Sequence, residues 1–177
     1  MERYAYCKGV KLMASVLDTL IYDRTQEDVD RVRELKLKYL DGTITPSEQT
    51  EYIAGLKGAY NSTDMNRVGE AVQLVGGLLK TYGFNINVNP KTNWLSSDVP
   101  TSAQAQQYIQ DLIAIQNAGS SLVTTNPIPT TLNNLNFESA NNIEEMLFKV
   151  GKIYERSAQT LHHLTFTVGR PTLGTRG

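Results

Sequence analysis

Tyr60-Asn61-Ser62-Thr63-Asp64-Met65-Asn66-Arg67-Val68 reads as the opening of a long helix, and the run that it starts decides the class of fold. Met65, Val68, Val72, Val75, Leu79 and Tyr82 stand 3, 4, 3, 4 and 3 residues apart, the spacing that lays one apolar stripe along an α-helix. Gly83 supplies a left-handed stop at its end. Gly76-Gly77 falls inside the run, where each glycine weakens an isolated helix by about 1 kcal/mol against alanine. The expected compensation is close approach of another backbone.

Comparable openings occur elsewhere in the chain. Arg24 to Val32, Pro100 to Tyr108 and Asn136 to Ile143 each set a hydroxyl or amide residue shortly before the first apolar position of a helical pattern. Taken at Val32, Val68, Tyr108 and Ile143, the spacings are 36, 40 and 35 residues, a period in the range of helical repeats. Thr25 caps a helix with Val29, Val32, Leu35 and Tyr39 on its apolar face, stopped by Asp41-Gly42. Thr45-Pro46-Ser47-Glu48 joins a capping box to a first-turn proline. It opens a short helix reaching Lys57-Gly58, with Tyr52, Ile53 and Leu56 as its buried side. Thr101 to Gln104 forms another capping box. A last helix carries Ile143, Leu147, Val150, Tyr154 and Leu161. The expected fold is therefore mainly α, a helical-repeat body of about five helices over 25–164. An N-terminal arm (1–24) and an extended C-terminal arm (165–177) flank it, with short β-strands near Leu20 and Phe166.

Composition narrows the function. The 177 residues carry 17 Lys and Arg against 18 Asp and Glu, so no concentrated basic face points to nucleic acid. The apolar stretch from Val10 to Leu20 is interrupted by Lys11, Ser15 and Asp18 and is too short to span a bilayer, which predicts a soluble chain with no membrane insertion. Either Met1 or Met13 would serve as the start. Cys7 is the only cysteine, so no intrachain disulfide and no cysteine-based zinc site is expected. His162 and His163 are adjacent and diverge by about 100° on a helix, so they would not chelate one ion. No glycine-rich phosphate loop is present. Glu144-Glu145 and Asp28-Asp30 lie near helix starts, where dipole and solvent account for them. Asp64 and Arg67 read as an intrahelical surface pair. No catalytic, metal or cofactor residue is assigned, and the expected protein is not an enzyme.

Three further segments join the opening stretch in a resemblance. Asp23 to Val32 (D-R-T-x-x-D-V-x-R-V), Leu56 to Val68 (L-K-G-A-Y-N-x-T-D-x-N-R-V), Lys91 to Thr101 (K-T-x-W-x-x-x-D-x-P-T) and Leu135 to Glu144 stand in this order. As an ordered set covering roughly residues 22–155, they resemble tail-region structural proteins of phages and prophages of Gram-positive bacteria. The resemblance implies a non-enzymatic virion component of the tail tip, baseplate or fibre attachment, made in the host cytoplasm. Its expected partners are other tail or baseplate proteins and further copies of itself in a ring or trimer. The apolar parts of the two arms are the expected contact residues: Leu20, Ile21 and Tyr22 at one end, Phe166 and Val168 with Arg170 and Arg176 at the other. A second reading is a host-surface binding module. In it, Trp94, Asn93 and Tyr60 contact a cell-wall glycan from an Asn/Pro-rich loop; otherwise Trp94 packs over a helix and pins that loop.

Overall fold

The structure, a computed structural model, describes residues 16–119, 123–133 and 135–161. Five helices account for most of it: α1 (Gln26–Leu40), α2 (Pro46–Ala54), α3 (Ser62–Thr81), α4 (Ser102–Gly119) and α5 (Phe137–Leu161). No strand occurs among the described residues. The stretch at Leu20 expected as a strand instead follows a short helical turn, in which Leu20 N–H donates to the Leu17 carbonyl. Phe166 lies outside the described residues.

The recurring segments are helix caps. Thr25, Thr45 and Asn61 each accept from the amide three residues on, while the acid at that position accepts from the cap's own amide. Thr101 and Gln104 exchange the same pair of bonds ahead of α4. Asn136 Oδ1 accepts from Ser139 N–H at the head of α5. Each cap satisfies amides that would otherwise be orphaned in the first turn. The period of 35 to 40 residues thus marks helix starts. The helices that follow close on one another as a triangle, α3 packing on both α4 and α5 and α4 on α5.

All three bundle helices run in the same sense. At one end Tyr60 meets Tyr108 and Arg67 meets Glu144. At the other, Tyr82 packs at a tilt against Tyr154 and Gly119 lies against Val150. Parallel neighbours need long crossovers, and the two Asn/Pro-rich loops supply them. Residues 84–100 return along α3, with Val88 against Gly76, the Lys91 carbonyl against Gly69 and Trp94 against Asn66. Residues 123–133 return along α4, where Asn126 meets Gln116 and Leu132 shares a pocket wall with Ala105 and Ile109. The expected close approach at Gly76-Gly77 is therefore displaced. A Cβ on Gly76 would meet the Val88 side chain, one on Gly77 would meet nothing, and the tight backbone passage is at Gly69, where an added Cβ would lie 2.6 Å from the Lys91 carbonyl oxygen.

The core is drawn from Val68, Val72, Val75 and Leu79 of α3, Leu112 and Ile115 of α4, and Ile143, Leu147 and Val150 of α5. Met65 and Tyr82, the ends of the sequence stripe, are partly buried. Leu17 and Leu20 join this core, so the described part of the N-terminal segment, residues 16–24, packs on its own bundle. Ile21 is half-buried, and Tyr22 is exposed with its ring 5.1 Å from Phe148.

α1 and α2 form a separate hairpin. Leu35 is its one fully buried side chain in α1, and α2 has none. Ile53, expected on a buried side, is 73% exposed, and Tyr39 is exposed beside Tyr52. The hairpin is instead held by ion pairs: Arg31 with Glu51 and Glu34, and Lys38 with Glu48 and Glu34. α2 ends at Ala54 because Gly55 turns to φ 93°, earlier than the Lys57-Gly58 stop expected from sequence. Gly58 instead makes room for α1, since its missing side chain lets the Asp28 carbonyl press against it.

Candidate functional site: a buried arginine–carboxylate network

Arg24, Asp64, Arg67 and Glu144 meet where the N-terminal segment, the base of the hairpin, α3 and α5 converge. Glu144 is wholly buried and Arg24 and Asp64 nearly so. Glu144 Oε1 accepts from Arg24 at 2.7 Å and from Arg67 at 3.0 Å. Its Oε2 accepts from Arg67 Nε at 3.0 Å and from the Ile21 amide at 2.7 Å. Asp64 Oδ1 accepts from both arginines, and its Oδ2 takes the Asn61 amide as the acid of the capping box. Arg24 also donates to the carbonyls of Ile21 and Lys57. Asn141 fixes the Arg24 backbone from both sides, accepting from its amide at 3.1 Å and donating to its carbonyl at 2.9 Å.

Two cations and two anions balance, and each carboxylate oxygen has at least one donor, the condition under which buried charge is tolerable. Burial of Arg67 works against its charge, but its hydrogen bonds to Glu144 and Asp64 prevail and raise its pKa. The aromatic wall is Tyr60, whose ring lies 5.6 Å from the Arg24 guanidinium and whose hydroxyl bonds that of Tyr108. Burial raises the pKa of both phenols. Neither carboxylate offers a lone oxygen to a substrate, so this geometry is suited to holding segments together.

Two sequence readings are corrected here. Asp64 and Arg67 do pair within one helix, but in the interior and shared with Arg24 and Glu144. Glu144 is not accounted for by dipole and solvent, because the bundle surrounds it. Sequence reading gave no role to Arg24 or Asn141. A signal for the acids existed: Asp64 precedes Val68 and Ala71 by 4 and 7 residues, and Glu144 precedes Leu147 and Gly151 by 3 and 7, in register with buried stripes.

The crossovers are secured by side chains, as extended backbone without a sheet partner requires. Asn66 Nδ2 donates to the Trp94 carbonyl at 3.0 Å, and the Trp94 amide donates to Asn66 Oδ1 at 2.6 Å. Asp111 Oδ1 accepts from the Asn89 amide, while its buried Oδ2 has no partner, and burial raises its pKa. Lys91 lies 4.0 Å over the Trp94 ring and pairs with Asp98 at 2.7 Å. Trp94 is 5% exposed and pins its loop to α3. Beside it opens a groove of about 570 Å³, lined by Tyr60, Met65, Trp94, Leu95 and Leu135 among others. Of the suggested glycan contacts, Asn93 is exposed, Tyr60 half-buried and Trp94 covered.

No family model, curated protein or solved structure matches the chain. Among the described residues, no group of three or more His, Cys, Asp or Glu is placed to hold a metal ion. No described helix is long and apolar enough to cross a membrane. Cys7, His162, His163, Phe166, Val168, Arg170 and Arg176 lie outside the described residues.

Proposed function

We propose that the chain is a structural subunit of a phage or phage-like tail, an adaptor at the tail tip, baseplate or fibre attachment, acting without turnover of substrate. One observation carries this reading. Three of the four segments on which the resemblance rests meet at one junction, Arg24 from the first, Asp64 and Arg67 from the second and Glu144 from the last, and the third is tied to the second where Trp94 is clamped to Asn66 on α3. Short patterns tied into one framework in this way support reading them as parts of a single fold. In that framework the motif residues hold the subunit's shape, and neighbouring subunits of a ring or trimer are met by surfaces elsewhere.

The test is localisation. Antibody raised to the chain should decorate one end of tail particles in negative-stain micrographs of an induced lysogen encoding it. Particles left bare while the chain stays in the soluble lysate would count against the proposal. The groove beside Tyr60 and Trp94 supports the second reading, a host-surface glycan module. Pull-down on purified cell walls, lost on Tyr60→Ala with the fold intact, would favour it.

A further inference from the structure

Among the described residues, the hairpin combines exposed apolar side chains with almost no core of its own. Leu37, Tyr39, Leu40 and Ile53 are each more than half exposed, while one side chain of the whole α1–α2 pair is fully buried among its own elements. Helices this short are marginal without a covered apolar face. The same hairpin, residues 26–54, is acidic, with seven carboxylates against four cations. Asp41 sits at its tip next to Leu40.

The chain itself contains a segment of matching chemistry. Residues 162–177 carry Leu164, Phe166 and Val168 at alternate positions, then Arg170 and Arg176, and no acid. Alternate positions share one side of an extended backbone, so three apolar side chains would face one surface with the arginines following. Leu161 ends α5 beyond the level of Tyr154, which packs beside Tyr82 at the far end of α3. The hairpin joins the bundle at the opposite end, where Arg24 holds the Lys57 carbonyl. From Asp64 to Tyr82 is roughly 27 Å of helix. Sixteen extended residues reach at most about 55 Å. A tail returning along its own bundle would use about half its length before docking, whereas a neighbouring hairpin is open to all of it.

We infer that the side of α1 carrying Leu37 and Leu40, one turn apart and beside Asp41, receives the 162–177 segment of a second copy of this chain, joining copies head to tail. Such a heterologous contact closes into a ring when the rotation permits. The inference rests on the assembly reading above and specifies its self-contact.

Sedimentation velocity of the full chain over a wide concentration range tests it. The wild-type chain should self-associate with rising concentration. Leu37→Ser/Leu40→Ser in one variant and Arg170→Glu/Arg176→Glu in another should each weaken association at least about tenfold, as loss of a central contact does. Circular dichroism should remain unchanged, because the hairpin residues are solvent-facing. Mixing the two variants should restore a dimer and nothing larger, since one intact tail then meets one intact hairpin. Asp41→Lys should partly rescue the arginine variant. A chain that is monomeric throughout, variants that associate like wild type, or a mixture that does not recover would each overturn the inference. Self-association in a chain that never enters tail particles would leave the docking standing and remove the assembly reading. Entry into particles by both variants would do the reverse.

Discussion

Glu144 makes the sharpest prediction at the scale of single residues. Removing one member of a buried ion network leaves the others charged and unpaired, at a cost of about 3–5 kcal/mol. Glu144→Ala should therefore lower the urea-derived stability by that order, while Glu34→Ala on the exposed hairpin should leave it nearly unchanged. Asp111 behaves with the opposite sense. Its pKa is raised by burial, so its folded state prefers the proton. Its contribution is most favourable below the unfolded value near 4 and is lost as pH rises through the folded value. Asp111→Asn should accordingly raise the melting temperature at neutral pH, and the gain should vanish in acid. Neither residue's role was plain in the sequence. Asp64 and Glu144 stood in register with buried apolar positions, but register does not name a partner, and Arg24 reaches Glu144 across 120 positions.

At the scale of elements, the two glycines of α3 with contrasting surroundings separate packing from propensity. Gly69→Ala drives a methyl into the Lys91 carbonyl and should cost about 1–3 kcal/mol, as overpacking does. Gly77→Ala meets open space and should gain up to about 1 kcal/mol from helix propensity. Trp94 reports the clamp directly. In Asn66→Ala the crossover loses both of its bonds at Trp94, and tryptophan emission should shift to the red; an unchanged spectrum would show that ring packing alone fixes the loop. The caps at Thr25, Thr45, Asn61 and Thr101 were legible because a capping box is local. The exposure of Ile53 was not, because amphipathic spacing says which residues share a face and not whether anything covers it. The hairpin should also loosen first in acid. Lys38 and the Thr45 amide hold Glu48 down to about 2, and hydrogen bonds to Lys38 and Arg31 lower Glu34 and Glu51. Depressed carboxylates contribute stability above their unfolded values, and it is lost as pH falls through the folded ones. Hydrogen exchange should show residues 26–54 losing protection in this window ahead of α3, α4 and α5.

Across the whole molecule, the helical class followed from the stripe of α3 and its flanking caps, and Val72→Asp, which places a carboxylate in that core, should prevent folding. The parallel course of the bundle was not legible, since a loop of Asn and Pro states only that the chain is extended and not which way it returns. That course governs how the protein comes into being. Helices joined by short turns settle against their neighbours as soon as each pair exists, whereas here Glu144, the shared partner of Arg24 and Arg67, lies on α5, the last of the described helices. During synthesis, the N-terminal segment, the hairpin base and α3 therefore emerge with two guanidiniums and one carboxylate at their junction. They must remain so until α5 has left the ribosome. Contacts of such long sequence separation slow folding, and incomplete intermediates expose the surfaces that lead to misassembly. A nascent chain stalled before Glu144 should be open to protease along its entire length. One released after α5 should resist digestion at once through α3, α4 and α5, because only then do the two guanidiniums gain Glu144.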